Sequence, residues 1–292
     1  MCIRDSSAIA SVRPANPPPA ITTSVRFVGR CIATMRAYKP LGTRYRRNGS
    51  IMRIHRMRFK WLSIAAACIV AFVATLAFVF PAVAAATCPQ CYGFERIDDG
   101  LFVERSMTPD ERAKTSDIIH RARERIRGFY GEQLGTASIL ICATNECYRN
   151  MRGGGSRGTA YYDTAILLAP NGANEVIAAH ELSHIEFHKR IGALRAFMGT
   201  APAWFDEGLA VIVSDDRRYI EAEDHTDRCR MRSDEALPLT SREWRRTAEA
   251  SNGYALAACR VSEWMKTRGG STAVLALARR IANGETFDAA YR

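Results

Sequence analysis

Acid is nearly missing from the first 86 residues, which hold Asp5 alone against thirteen Lys and Arg. That stretch carries +12 and the whole chain +11, so residues 87–292 stand at −1. The basic character therefore belongs to the leader. A near-neutral domain lacks the basic footprint of a nucleic-acid binder, and that class is set aside. From Cys88 onward there is no linker and no repeat. The 292-residue chain reads as one domain behind a leader, with length enough for a sizeable core. Gly153-Gly154-Gly155 lacks the Lys-Ser/Thr that a phosphate loop carries after its glycines.

What the leader does contain is a targeting signal. Arg53, Arg56, Arg58 and Lys60 precede an apolar run from Trp61 to Phe80. Pro81 and the small residues Ala82-Val83-Ala84-Ala85-Ala86 follow. A positive flank, an apolar stretch and small residues are the marks of an exported chain. Two outcomes stand open. Cleavage after Ala84 or Ala86 would release the domain. Alternatively the twenty apolar residues, enough to span a bilayer, stay as a tether. Either way the positive flank stays in the cytoplasm and the rest is exported, periplasmic or secreted, or anchored and facing outward. Met52 opens this signal, and Met1-Cys2-Ile3-Arg4-Asp5-Ser6 resembles a translated sequencing adapter. The expected organisation is a non-native or disordered leader over 1–51, a signal peptide or anchor over 52–86, and the folded domain over 87–292.

Six cysteines follow the leader: Cys88, Cys91, Cys142, Cys147, Cys229 and Cys259. An even count in an exported chain favours disulfides. Spacing does not determine the connectivity. The expectation is two local bridges, Cys88–Cys91 and Cys142–Cys147, plus Cys229–Cys259. The competing reading of Cys88-Pro89-Gln90-Cys91 is a redox pair, but no strand precedes it and no helix signal follows it.

The element signals run in the order strand, helix, strands, then helices, which predicts an α+β fold with its sheet early. Leu101-Phe102-Val103 reads as a strand. Thr108-Pro109-Asp110-Glu111 starts a helix that runs to Tyr130 and stops at Gly131. Ser138–Ile141 reads as a buried strand, Asn145 to Gly158 as a flexible loop, and Thr159 to Leu168 as one strand-like run. Asn171 or Asn174 caps a helix reaching Ile191, and Pro202 opens another over 203–214. Residues 216–240 read as loop, followed by helices near 252–267 and 271–283.

The chemistry sits in Ala179-His180-Glu181-Leu182-Ser183-His184. His180 and His184 are four apart, so one helical face presents both imidazoles to one point. Zinc favours such nitrogen ligands, and a catalytic site takes three protein ligands and leaves a position open. Glu181 beside them is placed to act as general base. A three-His site would need His at 190, where Arg190 stands. His188 lies about 12 Å along the axis from His180, too far to share an ion, and reads as a helix-surface residue. Glu207, on the second helix, is the candidate third ligand.

The run His180-Glu181-x-x-His184, followed by Trp204-Phe205-Asp206-Glu207-Gly208-Leu209-Ala210, resembles the gluzincin metallopeptidases. The likeness spans roughly 159–268 and rests on those two motifs. It implies a zincin-like α+β fold, with a small N-terminal sheet, an edge strand, the zinc helix and a helical C-terminal part. It implies one Zn2+ on His180, His184 and Glu207, with Glu181 as base. Tyr254, in Asn252-Gly253-Tyr254-Ala255-Leu256-Ala257, resembles the oxyanion-donating Tyr of the aminopeptidase N branch, although Ala257 replaces the usual Gly. The amine-binding Gly-x-Met-Glu-Asn segment of that branch is absent, which argues against an aminopeptidase. Val211 stands where the thermolysin branch carries an Asp that supports a zinc His. In zincins the strand before the zinc helix pairs with extended substrate, and Thr159–Leu168 is placed for it.

The expected function is an exported zinc-dependent peptidase, read as an endopeptidase. It would act on peptide or protein substrates, with no nucleic-acid partner and with residues 61–80 as a membrane tether if they stay attached. The alternative is a non-catalytic zinc-binding envelope protein anchored by the same residues.

Overall fold

The computed structural model describes residues 49–292 except Asp224, Thr226 and Glu249, with side chains from Trp61 onward. The leader expected over 1–51 lies outside the described residues, apart from the first turn of helix α1 (Gly49–Val79). The unit described below is Arg58–Arg292.

The fold is α+β. A five-stranded sheet has the order β1-β2-β3-β5-β4, with β1 Phe94–Asp98, β2 Leu101–Glu104, β3 Ser138–Ile141, β4 Gly158–Tyr161 and β5 Ala165–Leu168. The inner strands β2, β3 and β5 are parallel, and the outer strands β1 and β4 run antiparallel to their neighbours. Alternation sorts the side chains onto two faces. Leu101, Val103, Ile139, Ile141, Ile166 and Leu168 face the main core. Leu140 and Leu167 face a second, smaller cluster. A sheet covered on both sides explains why β3 and β5 are apolar throughout.

Helices α3 (Pro109–Tyr130) and α5 (Glu175–Ile191) belong to the main core. Against them pack α7 (Ala203–Ser214) and α10 (Ser271–Ala282); α9 (Gly253–Arg268) packs on α7, and α11 (Phe287–Tyr291) on α10. The other face is covered by α2 (Pro81–Thr87) and α4 (Asn145–Asn150). A short α6 (Ala193–Phe197) follows α5, and α8 (Ser241–Thr247) precedes α9. The α3 start is a capping box: the Thr108 hydroxyl accepts from Glu111 N–H, and the Glu111 carboxylate accepts from Thr108 N–H.

Several expectations are corrected. The loop expected over 145–158 begins with α4, because Thr144 caps it by accepting from Cys147 N–H. The single run 159–168 is a hairpin, β4 and β5, whose turn places Tyr162 at φ 54. Strand β1 and helices α8 and α11 were not foreseen. Each is seven residues or shorter, too brief for a periodic pattern. The described residues of 216–240 are loop, as expected, with a bridge between Ile220 and Cys229. Among the described residues the disulfides are Cys88–Cys91, Cys142–Cys147 and Cys229–Cys259, the pairing expected.

Candidate metal centre

The centre forms where α5 and α7 cross. Asn174 starts α5 by accepting from Ile177 N–H, and Gly192 at φ 94 ends it. Apolar side chains cover α5 on most sides: Ala178, Ala179, Leu182, Ile185 and Phe187 are buried. That burial clamps the helix and fixes where its His residues point. Glu186 is fully buried and accepts from the backbone N–H groups of Leu134 and Gly135. Arg190 pairs with it at 2.9 Å and lies over the Tyr130 ring. The residue occupying the position of an absent third His thus has a structural job.

His180 and His184 stand edge to face, with ring centroids 4.9 Å apart. Glu207 comes from the first turns of α7, which Pro202 opens. Its Oε2 lies 3.3 Å from His180 Nε2 and 3.7 Å from His184 Nε2. Two ligands each ~2.0–2.1 Å from one tetrahedral zinc stand about 3.3 Å apart. The donor set therefore fits one small divalent cation of the zinc type. Three carboxylates, Glu181, Asp206 and Glu207, stand among the three imidazoles of His180, His184 and His188. Among the described residues three other groups of ligand-type side chains lie close enough to hold an ion: His184, His188 and Asp206, which shares His184 with this centre, and two that consist of disulfide-bonded cysteines with Glu104 or Glu263 and so lack free thiolates.

Glu181 points towards strand β4. It is buried and accepts a hydrogen bond from the Ala160 backbone N–H. Burial raises its pKa, the two imidazoles pull it down, and Glu207 adds to the rise. Gly158 explains how a carboxylate fits under the strand. A Cβ there would stand 2.7 Å from Glu181 Oε1. Glycine is required at this position for space, since its φ is not in the left-handed region.

Tyr254 reaches the site from α9. Its ring centroid is 6.4 Å from that of His180. It stacks on Tyr219 at 5.0 Å and meets the edge of Trp244 at 5.1 Å. Burial, then the Glu207 carboxylate, raises its pKa well above that of a free tyrosine. Its hydroxyl therefore keeps its proton and remains a donor. Helix α9 comes this close because of Gly208. A Cβ on Gly208 would stand 2.6 Å from the Ala257 carbonyl carbon and oxygen. The glycine after Glu207 thus seats α9, and with it Tyr254, against α7.

Two residues of the site escaped the sequence reading. Asp206 is wedged between two imidazoles: Oδ1 is 3.0 Å from His184 Nδ1, and Oδ2 is 2.8 Å from His188 Nε2. The His184 contact is close but bent, and neither atom has a regular hydrogen-bond partner. Burial opposes both charges. Even so, Asp206 raises the His184 pKa to about 10, and the two His rings hold Asp206 far below the usual carboxylate range. His188 is thus not a plain helix-surface residue, as expected, but the second partner of Asp206. Val211, where the resemblance would have an Asp, is fully buried in the core. The available signal was the carboxylate directly before Glu207, which faces one turn further along α5 than Glu207 does.

The structure brings His180, His184, Glu207, Glu181 and Tyr254 to one region of the molecule. No family model, curated protein or solved structure matches this chain.

Proposed function

We propose that this chain is an exported zinc-dependent peptidase of the gluzincin type, with a zincin-like α+β domain. The observation that supports it best is the pair of imidazole nitrogens 3.3 and 3.7 Å from one Glu207 oxygen, with the Glu181 carboxylate buried beside them. His180, His184 and Glu207 would hold one ion. Zinc, when bound, supplies Lewis acidity that makes water nucleophilic near neutral pH.

The chain's own residues then divide the work. Glu181 takes the proton from the attacking water and later delivers it to the leaving nitrogen. Its burial raises its proton affinity, which suits a group that must accept and return a proton. Tyr254 donates its hydroxyl hydrogen to the carbonyl oxygen of the scissile bond as negative charge grows there. Asp206 holds His184 in orientation. Strand β4 ends the sheet order, so its free edge can add an extended peptide as a further strand beside Glu181.

The test compares the full chain with Glu181→Gln and Glu207→Ala. Peptide-library digestion and metal analysis are read on all three. Wild type should hold one zinc and cleave peptides. Glu181→Gln should keep the zinc and lose activity about 10²–10⁴-fold. Glu207→Ala should lose the metal. Zinc bound by a wild type that cleaves nothing would point to a non-catalytic envelope protein instead. Undiminished hydrolysis by Glu181→Gln would remove the mechanism.

A further inference from the structure

Two of the small residues that read as a cleavage site, Ala82 and Ala85, are core residues of the domain. Helix α2 lies on the sheet face opposite the metal centre. Ala82 and Ala85 are fully buried there, in one cluster with Phe94, Leu140, Cys142 and Leu167. Pro81 is buried with them, and Ser138 Oγ donates to the Ala86 carbonyl at 3.5 Å. Alanine at these positions lets the helix lie close on the strands. Cleavage after Ala84 would remove Ala82, and cleavage after Ala86 would remove both alanines. Either cut would uncover Leu140, Leu167 and Phe94. The folded domain thus includes α2, which is helical, packed and hydrogen-bonded and would be missing from a cleaved chain.

Upstream, the chain shows the opposite pattern. Trp61–Val79 is a 19-residue apolar helix with mean hydropathy 2.6, and none of it is buried. At ~1.5 Å per residue it reaches about 28 Å, close to the ~30 Å hydrocarbon core of a bilayer. Its flank carries Arg53, Arg56, Arg58 and Lys60. No spacer separates it from the domain. Phe80 N–H donates to Leu76 O at 2.8 Å and Ala84 N–H to Phe80 O at 3.1 Å, so hydrogen bonding runs from α1 into α2. Arg152, from the loop after α4, lies over the Phe78 ring at 4.6 Å.

We propose that α1 is kept in the finished protein as a single membrane span, its partner a lipid bilayer, with α2 the first element of the domain. The basic flank stays on the cytoplasmic side, and the domain begins where the span leaves the outer surface. Nothing in this inference uses the metal centre, so it stands or falls apart from the peptidase reading.

The test expresses the full chain in an exporting bacterial host. Membrane and soluble fractions are separated after an alkaline carbonate wash, and intact masses are measured. The expected result is protein in the membrane pellet whose mass includes residues 61–87. Soluble protein beginning at Ala85 or Thr87 would overturn the proposal. A second arm purifies the full chain in detergent with Ala85→Leu or Thr87→Leu. Leucine at buried Ala85 should lower Tm by several degrees or prevent folding, whereas leucine at exposed Thr87 should leave Tm unchanged. Equal Tm for both variants and wild type would also overturn it, by showing that α2 is not part of the core.

Discussion

Gly208 and Ala257 meet backbone to backbone: a Cβ on Gly208 would lie 2.6 Å from the Ala257 carbonyl. The contact joins the helix of a candidate metal ligand, Glu207, to the helix that carries Tyr254. On an exposed helix, Gly→Ala would stabilise by about 1 kcal/mol. Here the added methyl meets stiff backbone, and overpacking of this kind costs about 1–3 kcal/mol. Gly208→Ala should therefore lower stability by a net amount of up to about 2 kcal/mol. It should also reduce kcat by moving Tyr254 away from His180. Denaturant unfolding and steady-state kinetics check both. A Gly208→Ala protein more stable than wild type would show that the helices do not lock at this point.

Gly158 has the same role on the other side of the site. Its missing Cβ leaves room for Glu181, whose Oε1 and Cγ would otherwise stand at 2.7 and 2.8 Å. Gly158→Ala should push the Glu181 carboxylate out of place. Peptide hydrolysis should fall at least about tenfold, since misplacing a catalytic group by ~1 Å costs on the order of 10²-fold. Bound zinc should be unchanged, because Glu181 is not a proposed ligand. Metal analysis alongside kinetics separates the two. Equal loss of metal and activity would count against the assignment of Glu181.

Asp206 is not one of the three proposed ligands, yet it faces the far nitrogen of His184 at 3.0 Å. Partners of this kind fix the tautomer and ring orientation of a ligating His, and losing one typically weakens metal binding about 10–100-fold. Asp206→Ala should show that weakening in a chelator competition. His188→Gln, which removes only the outer partner of Asp206, should show a smaller effect in the same direction. Unaltered affinity in Asp206→Ala would mean that the contact only supports packing.

In the metal-free protein the same pair sets a pH dependence. Asp206 raises the His184 pKa from 6.5 to about 10. A raised pKa means that the imidazolium's contribution to stability is complete below about pH 6.5 and fades as pH climbs through about 10. Asp206 is shifted down from its ordinary 3.8, so its contribution is present above that value and is lost in stronger acid. Metal must displace the His184 proton. Zinc affinity should thus rise about tenfold per pH unit through neutrality, with one proton released per ion from this His. Titration calorimetry in buffers of different ionisation enthalpy counts that proton. Affinity flat between about pH 6 and 8 would show that His184 is already neutral before the metal arrives.

The strongest local signals in the chain were legible without coordinates. Thr108 with Glu111 announces a helix start as a cap satisfied within four residues, Asn171 or Asn174 announces another that the structure starts at Asn174, and Pro202 opens α7 without a side-chain cap. The run Ser138–Ile141 reads as a buried strand, and Thr159–Leu168 reads as one strand-like run that in the structure is two strands and a turn. Strand β1 and helices α4, α8 and α11 were not legible, since elements this short take their conformation from what they pack on. The stretch 82–86 misleads in a specific way. Small residues serve a cleavage site and a close-packed helix equally well, and composition cannot separate the two.

By itself, the sequence determined that His180 and His184 share a helix face, because a rise of ~1.5 Å and 3.6 residues per turn leave no other geometry for residues four apart. It also supplied Glu181 and Glu207 as the carboxylates nearest to them in pattern. Only the tertiary structure decided that Glu207 comes within 3.7 Å of both rings, that Asp206 lodges between His184 and His188, and that Glu181 lies under Gly158. Those distances depend on how α5, α7, α9 and β4 cross. Crossing is set by side-chain volumes far apart in the chain, and at Gly208 and Gly158 by the absence of a side chain.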